Sequence, residues 1–428
     1  MHNKVKQQPE ELGRKIVVGV AGGIAAYKAC HLVRDLKEYG DDVRVVPTDS
    51  ALRFVGAATF EALSGNPVST TVFDAVEEVQ HVRVGQEAEA IVVAPATADF
   101  MARVAAGRAD DLLTATLLVA TCPVILVPAM HTEMWWNPAT RANVSLLRER
   151  GIIVMEPAHG RLTGKDTGPG RLPEPEQIAE LVRTVLDGQV PKYDWVGKKV
   201  LITAGGTQEN IDPVRYVGNR SSGRQGYALA EVAVQRGAEV TLIVGNVDEL
   251  PTPPGARVLP VVSTAEMAAA VAKHAPVQDL VIMAAAVADF RPDTQATAKM
   301  KKGRNEDSLQ TLSMVENPDI LRTLVQDRSA GKIPASTVIV GFAAETGDPE
   351  HSALELATQK LGRKGCDLLM CNEVGADKVF GQKRNRGWLL ARSEDPASPQ
   401  VTEIEDGSKQ VVAAQILAAV DELRIGQE

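Results

Sequence analysis

The stretch KIVVGVAGGIAAYK, residues 15–28, decides the fold class of the first half of the chain. Its continuous apolar run at 16–20 predicts a strand covered on both faces, as in a parallel sheet. Glycines follow the strand directly. An amphipathic helix comes next, with apolar residues spaced i, i+3, i+4, i+7 at Ala29, Leu32, Val33 and Leu36. The stretch therefore predicts a strand, a glycine turn and a helix.

The same pattern returns at KKVLITAGG, residues 198–206, and VVAPATADF (92–100) is similar to VIMAAAVADF (281–290). Strands are predicted at 16–20, 43–46, 90–94, 124–127 and 152–155, and again at 200–203, 240–244, 280–283, 338–342 and 368–371. Strands alternating with helices predict an α/β fold with two doubly wound parallel sheets of Rossmann-like type. The periodicity stops at 187–197, so we expect domains at 1–190 and 191–428.

Composition narrows the functional classes. The 428 residues include 46 Lys and Arg against 55 Asp and Glu, a net charge of −9, which argues against a nucleic-acid partner. The four scattered cysteines fit neither a disulfide framework nor a zinc site. Residues 112–130 are uncharged, but Pro123 and Pro128 favour a buried helix followed by a core strand. The N-terminal segment has no apolar core. We expect a soluble, cytoplasmic protein with no membrane partner.

Glycines and polar residues follow the predicted strands of the first half. Gly22 and Gly23 open a helix, whose free N–H groups and positive dipole end suit a phosphate. The spacing is not GxGxxG, so a mononucleotide fits better than a dinucleotide, and a tight turn without a ligand is the alternative. Carboxyl ends of parallel strands border a common crevice. The residues expected there after the next two strands are Thr48, Asp49, Ser50, Ala96, Thr97, Ala98 and Asp99.

Two histidines belong to the same predicted edge. His81 precedes the third strand, and His131 follows the fourth. Each is a candidate for acid–base work, with a capping or packing role as the alternative. The sequence His131-Thr-Glu133 does not match the zinc motif HExxH, so no metal is assigned there.

Four motifs carry a resemblance to a known family: GGIAAYK (22–28), His81 ahead of APATADF (94–100), GRADDLLTAT (107–116) and PAMHTEMWWNP (128–138). Together they resemble the homo-oligomeric flavin-containing cysteine decarboxylases. The resemblance implies a flavodoxin-like domain that binds FMN, oxidises the substrate thiol and releases carbon dioxide, with His81 as the catalytic histidine. It implies FMN contacts at Gly22, Gly23, Ile24, Ala25, Thr48, Ser50, Ala96, Thr97 and Ala98. It also implies substrate contacts at His131, Met134, Thr163 and Lys165.

The chain departs from this family at two positions. His131 stands where the family pattern PxMNxxMW has Asn. In RLTGKDTGPGR (161–171), Gly164 occupies the place of the family's flap cysteine. Related enzymes without that cysteine stop at the unsaturated enethiol. We expect Thr163, Lys165 or Asp166, or a water that they hold, to deliver the proton instead.

The second half carries a denser set of charged motifs. Ahead of a predicted helix, residues 212–230 supply Arg215, Asn219, Arg220, Ser221, Ser222, Gly223 and Arg224. Hydroxyls capping a helix beside guanidinium groups predict an anion site, with a solvated capped loop as the alternative. Asp289 ends a strand, where it can meet a divalent cation or cap a helix. Lys360 and Lys364 share one helical face, and their mutual repulsion indicates an anion between them.

Residues 199–374 resemble the phosphopantothenate–cysteine ligases. The resemblance implies that CTP activates the phosphopantothenate carboxylate with release of pyrophosphate, and that the amine of cysteine captures the acyl-cytidylate. It places Asn219 on the acyl-cytidylate, Lys299 in the first half-reaction, Arg215 and Arg220 on substrate, and Mg²⁺ at Asp289. The implied CTP site comprises Met283, Ala284, Ala285, Asp289, Lys299, Pro318, Asp319, Ile320, Leu321, Phe342, Lys360 and Lys364. Two polar stretches, 291–314 and 375–388, are candidate lids.

The two resemblances together imply a bifunctional enzyme of coenzyme A biosynthesis, with the decarboxylase in residues 1–190 and the ligase in residues 191–428. They also imply trimeric flavin domains and dimeric ligase domains, which combine in a closed oligomer such as a dodecamer. One alternative is an active ligase whose flavin domain stops at the enethiol or serves as a regulatory, protein-binding module. A dehydrogenase with two nucleotide domains is disfavoured because GxGxxG is absent and lysines cluster in the second half.

The missing flap cysteine gives a first prediction. Incubation with phosphopantothenate, cysteine, CTP and Mg²⁺ is expected to yield the saturated thiol, because another flap group supplies the proton. Mass spectrometry of the products checks this. An enethiol two hydrogens lighter as the final product would contradict the prediction.

Overall fold

The structure is a computed structural model that describes residues 13–69, 80–161, 167–300, 311–347, 350–373, 384–393, 395 and 398–425. The chain divides into two compact units, residues 1–191 and residues 192–428. Each unit is built on a sheet of its own, as the repeated strand–glycine–helix pattern predicts.

The elements of the first unit are, in chain order, β1 (Lys15–Val20), α1 (Ala26–Tyr39), β2 (Asp42–Pro47), α2 (Asp49–Leu52), α3 (Ala57–Ser64), α4 (Gln80–Glu87), β3 (Ala90–Ala96), α5 (Ala98–Ala105), α6 (Leu112–Val119), β4 (Val124–Pro128), α7 (Thr132–Trp136), α8 (Pro138–Glu149), β5 (Ile153–Val154), β6 (Ala158–Arg161), β7 (Thr167–Arg171) and α9 (Pro175–Leu186).

The main sheet of this unit has the order β2-β1-β3-β4-β5, and all neighbouring strands are parallel. Every residue of β3 and β4 is buried, because helices cover both faces. Helix α1 buries the predicted stripe Ala29, Leu32, Val33 and Leu36, and it ends at Gly40, whose left-handed backbone (φ 108°) favours glycine. The flavodoxin-like parallel fold is confirmed.

The elements of the second unit are β8 (Lys199–Ala204), β9 (Gln208–Asn210), β10 (Tyr216–Gly218), α10 (Arg224–Gln235), β11 (Glu239–Val244), β12 (Arg257–Pro260), α11 (Thr264–His274), β13 (Leu280–Met283), β14 (Phe290–Pro292), β15 (Met314–Glu316), α12 (Ile320–Ser329), β16 (Val338–Glu345), α13 (Ala353–Lys364), β17 (Leu368–Glu373), β18 (Arg384–Ala391), β19 (Gln400–Ser408) and α14 (Lys409–Ile425).

The large sheet of the second unit has the order β12-β11-β8-β13-β16-β17-β18-β19. Its first six strands are parallel, but β18 and β19 are antiparallel additions, so the expectation of a wholly parallel sheet needs correction. The apolar-run criterion misses both strands, since exposed and buried residues alternate in β18 and most of β19 is exposed.

The candidate lids are only partly loops. In the stretch 375–388, the described part is the start of β18, and residues 374–383 lie outside the described residues. In the stretch 291–314, Phe290–Pro292 pairs with Met314–Glu316, so the two ends of the stretch meet. Residues 301–310 lie outside the described residues.

The apolar segment 112–130 folds as expected, as helix α6 followed by the buried strand β4. Within the described parts of the chain, no helix has both the length and the apolar character that a membrane crossing requires. All four cysteines are free thiols.

Candidate active sites

The loops that leave β1, β2 and β3 meet at the carboxyl edge of the first sheet. The main-chain N–H of Ala21 donates to the carbonyl of Pro95 (3.1 Å), and that of Thr48 donates to the carbonyl of Val20 (2.9 Å). The strand order reverses between β1 and β3, which is where ligands bind in sheets of this type. The structure thus brings together the loops that carry the residues predicted to bind FMN.

The two glycines of this edge differ in what surrounds them. A Cβ built on Gly22 would overlap the Ser50 side chain, so packing alone requires glycine there. A Cβ built on Gly23 would meet only Thr97, at an ordinary 3.7 Å, and the backbone of Gly23 is not in the left-handed region. The protein's own packing therefore does not require glycine at position 23.

The N-terminal end of α1 faces the same loops. Ala25 occupies the cap position, and no side chain accepts a hydrogen bond from the first turn of the helix. Ile24 is 73% exposed. The hydroxyl oxygens of Thr48 and Thr97, in contrast, cap α2 and α5 by accepting from Ala51 (3.3 Å) and Phe100 (3.2 Å). Helix α1 is therefore the one of these three without a side-chain cap, although the N–H groups of Ala26 and Lys28 donate to the carbonyls of Gly23 and Ala25 (both 3.0 Å).

The segment after β4 is held against the hairpin of β6 and β7. The N–H of Met130 donates to the carbonyl of Gly170 (2.9 Å), and the Thr132 hydroxyl donates to the carbonyl of Pro169 (2.8 Å). His131 and Met134 stay exposed, while Trp135 is buried below them with Arg141 stacked on its ring at 4.6 Å. Two of the predicted substrate residues therefore lie on a segment fixed to the hairpin.

Other predicted decarboxylase residues cannot be placed in full. His81 lies in the first turn of α4, and its side chain is outside what the structure describes. Since α4 leads into β3, its first turn lies toward the carboxyl edge of the sheet. Thr163, Lys165 and Asp166 lie outside the described residues.

The carboxyl edge of the second sheet is a network of main-chain hydrogen bonds. The strand order reverses between β8 and β13, and the N–H of Ala286 donates to the carbonyl of Gly205 (2.8 Å) across this point. Gly206 and Asn246 exchange two bonds, of 2.8 and 2.7 Å, which join the loops after β8 and β11. These loops are therefore fixed relative to one another before any ligand binds.

A cleft of about 430 Å³ opens beside this network. It is lined by Gly206, Thr207, Gln208, Tyr216, Gly218, Asn219, Arg220, Ser221, Ser222, Asn246 and Asp248. Asn219 is oriented by its amide, which donates to the carbonyl of Val287 (2.9 Å). Two predicted ligase residues, Asn219 and Arg220, therefore share one cleft. Asn246 and Asp248 also line the cleft, and no sequence motif predicts them as site residues.

The serines of this segment do not cap α10, contrary to the expectation. Gly223 is the cap residue, its backbone is left-handed (φ 75°), and no side chain accepts from the first turn. The Ser221 hydroxyl instead accepts from the N–H of Gly223 (3.3 Å). The first turn of α10 consequently has no side-chain acceptor of its own.

Asp212 is the buried centre that connects Arg215 with the segment carrying Lys299. Its carboxylate accepts from the main-chain N–H groups of Val214 (2.7 Å), Arg215 (2.8 Å) and Met300 (3.2 Å). Burial opposes its ionisation, but these three donors and the Arg215 charge hold the pKa of Asp212 below its ordinary value. Lys299 itself is exposed. Asp212 was not among the predicted site residues, although it is the first residue of the segment 212–230.

Several residues of the implied CTP site belong to the core. Met283 and Ile320 are buried, so only their main chain could reach a ligand, while Leu321 and Phe342 are half-buried against core clusters. Asp289 is exposed, and its carbonyl accepts from Asn317 (2.8 Å), which fixes the segment containing Pro318. No group of three or more metal-ligating side chains occurs in the described parts of the chain.

Lys360 and Lys364 do not repel each other across an empty space. Lys360 pairs with Glu345 (3.0 Å), and Lys364 pairs with Asp319. Burial raises the pKa of Asp319, but the bonds from Lys364 and from the N–H of Arg322 outweigh it and hold that pKa low. The expectation that an anion offsets repulsion between the two lysines is therefore wrong, because each lysine is already neutralised by its own carboxylate.

The fold and the two edges define a two-domain α/β protein with a ligand crevice at the switch point of each sheet. The family profile described as the DNA/pantothenate metabolism flavoprotein C-terminal domain matches residues 195–423, and the flavoprotein profile matches residues 4–187. The chain is 57% identical over 408 residues to the coenzyme A biosynthesis bifunctional protein CoaBC of Mycolicibacterium smegmatis, covering 95% of this chain and 97% of the relative.

The protein of the same description from Vibrio cholerae is 42% identical over 413 residues, covering 96% of this chain and 98% of the relative. A crystal structure of the C-terminal domain of CoaBC is 33% identical, with a TM-score of 0.43, covering 54% of this chain and 98% of that one. The chain belongs to the family of coenzyme A biosynthesis bifunctional proteins. It is an enzyme with the ligase and decarboxylase activities that the motifs imply.

The Asp212 centre gives a second prediction. Asp212→Ala removes the acceptor of three main-chain N–H groups, so the amides of Val214, Arg215 and Met300 should exchange at least about tenfold faster. Hydrogen exchange read by mass spectrometry measures this, and the amides of β8 in the same variant are the internal control. Unchanged exchange at Met300 would show that the carboxylate does not hold the segment.

Proposed function

We propose that the first unit carries out the FMN-dependent decarboxylation of phosphopantothenoylcysteine and that the second unit carries out the CTP-dependent ligation that supplies it. The observation that carries this assignment is the pairing of one family profile with each unit, flavoprotein with residues 4–187 and the C-terminal domain with residues 195–423. In each unit the motif residues gather at the switch point of the sheet.

The first edge fits the phosphate and ring of FMN. The first turn of α1 has no side-chain cap, so its positive dipole end can face a phosphate, and the open space at Gly23 leaves room for a ligand against the main chain. The proposed FMN residues are Gly22, Gly23, Ile24, Ala25, Thr48, Ser50, Ala96, Thr97 and Ala98. When bound, FMN supplies the two-electron oxidation that prepares the substrate for loss of carbon dioxide.

The side chains around the flavin would bind substrate and move its protons. His81 is the proposed acid–base group, since an imidazole exchanges a proton near neutral pH and the first turn of α4 lies toward this edge. His131 and Met134 are exposed on the fixed segment after β4, where they can contact the substrate. Thr163 and Lys165 complete the proposed contacts from the flap.

In the ligase unit, an oxygen of the phosphopantothenate carboxylate would attack the α-phosphorus of CTP and release pyrophosphate. The amine of cysteine would then displace CMP from the acyl-cytidylate. Asn219 and Arg220 in the cleft, with Arg215, are proposed to hold the acyl portion. Lys299 would offset the charge that develops on the triphosphate, and Asp289 would hold Mg²⁺, which would supply further positive charge there. CTP, cysteine and 4'-phosphopantothenate are the proposed substrates.

The lysines of α13 must change partners in this scheme. Lys360 and Lys364 are held by Glu345 and Asp319, so a triphosphate would compete with carboxylates for them. When a lysine moves from a carboxylate to a phosphate oxygen, the free-energy cost is lower than when a fully hydrated lysine has to lose its water to bind the phosphate. A cytoplasmic location remains a prediction from the composition, whereas a trimer of flavin domains, a dimer of ligase domains and their combination in a dodecamer remain predictions from the resemblance. So does the alternative of a regulatory flavin domain.

The contrast between the two glycines gives a third prediction. Gly23→Val should leave the thermal unfolding temperature within a few degrees of the unmodified protein, because no protein atom opposes the side chain. It should lower FMN affinity at least tenfold, measured by flavin fluorescence, because the side chain fills the ligand space. Gly22→Val is the matched variant, and overlap with Ser50 should lower its unfolding temperature. Retained FMN affinity in Gly23→Val would remove this residue from the site.

The separation of the two activities gives a fourth prediction. Lys299→Gln should slow formation of the acyl-cytidylate by about a hundredfold or more while leaving decarboxylation of added phosphopantothenoylcysteine unchanged. Pyrophosphate release and carbon dioxide release measure the two steps separately. Lys332→Gln, an exposed lysine paired with Asp327, is the control. Loss of both activities together in Lys299→Gln would indicate a structural role.

A further inference from the structure

Two cationic residues occupy the adjoining first turns of helices α10 and α14. Arg224 is the first residue of α10, and Lys409 is the first residue of α14. The Gln225 amide donates to the carbonyl of Lys409 (3.1 Å), which ties the two helix starts together. Lys409 is only 8% exposed, an unusual degree of burial for a lysine.

Neither cation has a full set of acceptors. Among the described residues, no carboxylate or hydrogen-bond acceptor acts on the Lys409 ammonium, and the buried Nε of Arg224 has no acceptor. Arg224 makes a single ion pair, from Nη2 to Asp248 at 3.4 Å. Burial, with the positive charge of Arg224 added to it, lowers the pKa of Lys409 to about 8. A buried cation next to another cation is costly unless something else offsets the charge.

The neighbouring elements supply no such offset from their described side chains. Their other charged groups include Glu231 on α10, Arg384 and Arg386 on β18, and Glu403, Glu405 and Asp406 on β19, while Asp421 and Glu422 lie toward the far end of α14. Arg384 and Asp406 pair with each other (2.8 Å). Arg224 is the charged group that shifts the pKa of Lys409 among the described residues.

Neutral amides fix the main chain at Lys409 in position. The amide of Asn385, which is 2% exposed, donates to Gln225 (3.2 Å) and to Asn372 (2.9 Å), and Gln225 in turn holds the carbonyl of Lys409. The Asn385 Oδ1 atom is buried without a donor among the described residues. These hydrogen bonds join β17, β18, α10 and α14. None of them involves a carboxylate, so they leave the positive charge of Lys409 without a counter-charge.

The cluster lies at the ligand edge of the sheet. Asn372 stands near the carboxyl end of β17, Asn385 near the start of antiparallel β18, and Lys409 directly after β19. No side chain caps the first turn of α10, so its positive dipole end is open. Asp248, the partner of Arg224, lines the 430 Å³ cleft. The cluster thus adjoins the cleft without belonging to its lining.

We propose that Lys409 and Arg224, with the first turn of α10, form a binding site for a phosphate group. Two cations match the charge of a phosphate dianion, and a guanidinium and helix N–H groups match its oxygens. None of the residues in the proposed CTP, acyl or FMN sites belongs to this cluster. The phosphate can come from the nucleotide, pyrophosphate, phosphopantothenate or free phosphate, which share this chemistry.

Binding of inorganic phosphate to the full-length, FMN-loaded protein tests the proposal without depending on ligase turnover. Isothermal titration calorimetry at pH 7 should show at least about tenfold weaker phosphate binding in Lys409→Met than in the unmodified protein. Without phosphate, Lys409→Met should unfold at a higher temperature, because it removes a buried, unpaired charge. Arg224→Gln should weaken binding similarly, and it keeps the test available if Lys409→Met does not fold. Lys332→Met, an exposed lysine, is the control.

The pH profile gives a readout that a structural lysine would not. Phosphate favours the protonated ammonium, so its binding raises the pKa of Lys409 and takes up a proton above the free value of about 8. Affinity should therefore fall as the pH rises through 8 and approach a loss of about tenfold per unit above it. Lys409→Arg, which stays charged, should bind with a flat profile from pH 8 to 9.5.

Competition identifies the source of the phosphate and can overturn the proposal. Displacement by 4'-phosphopantothenate but not by pantothenate assigns the substrate phosphate, and displacement by pyrophosphate and CTP assigns the nucleotide. Lys409-dependent binding with no such competition assigns free phosphate. Unchanged phosphate affinity and pH profile in Lys409→Met would overturn the proposal. So would displacement by cysteine alone, since the site would then recognise a carboxylate.

Discussion

Main-chain hydrogen bonds between the loops that leave neighbouring parallel strands hold both candidate sites together. In the first unit such bonds join the loops after β1, β2 and β3, and in the second unit they join the loops after β8, β11 and β13. Loop N–H and carbonyl groups at a buried edge need partners, and here they find them in one another. The position of each site is therefore a consequence of the sheet. Side chains such as Asn219 start from a backbone that is already ordered, so less entropy is lost when a ligand binds.

The cations of the second edge are arranged in two different ways. Lys360 and Lys364 are held by carboxylates, so each is ready to turn from one anionic partner to another. Lys409, by contrast, has no carboxylate partner among the described residues, and its neighbour Arg224 has one long ion pair, with Asp248 at 3.4 Å. The ion pairs of Lys360 and Lys364 stabilise the ligand-free protein, and because a ligand must replace them they reduce the net free energy of binding. The second arrangement costs stability without ligand and returns it on binding.

The sequence predicts the framework well because apolar runs and helical periodicity report burial directly. All ten strands predicted from apolar runs are present, as are the stripe of α1 and the helix–strand pair in 112–130. Strands β18 and β19 escape because they are half exposed. Local reasoning also fails where a partner is distant in sequence. The carboxylates that hold Lys360 and Lys364 come from other elements, and no spacing rule reveals them.

The glycines show how far a motif can support an inference about a ligand. In the second unit, a Cβ on Gly206 would collide with the carbonyl of Asn219, and Gly205 has a left-handed backbone (φ 80°). The protein's own chain thus explains both glycines that end KKVLITAGG (198–206), so a ligand there is indicated by the cations and the cleft instead. In the first unit a glycine itself supplies evidence for a ligand. Gly22 is explained by Ser50, but nothing in the described parts of the chain explains Gly23, so the residue without a structural reason is the one that points to a ligand.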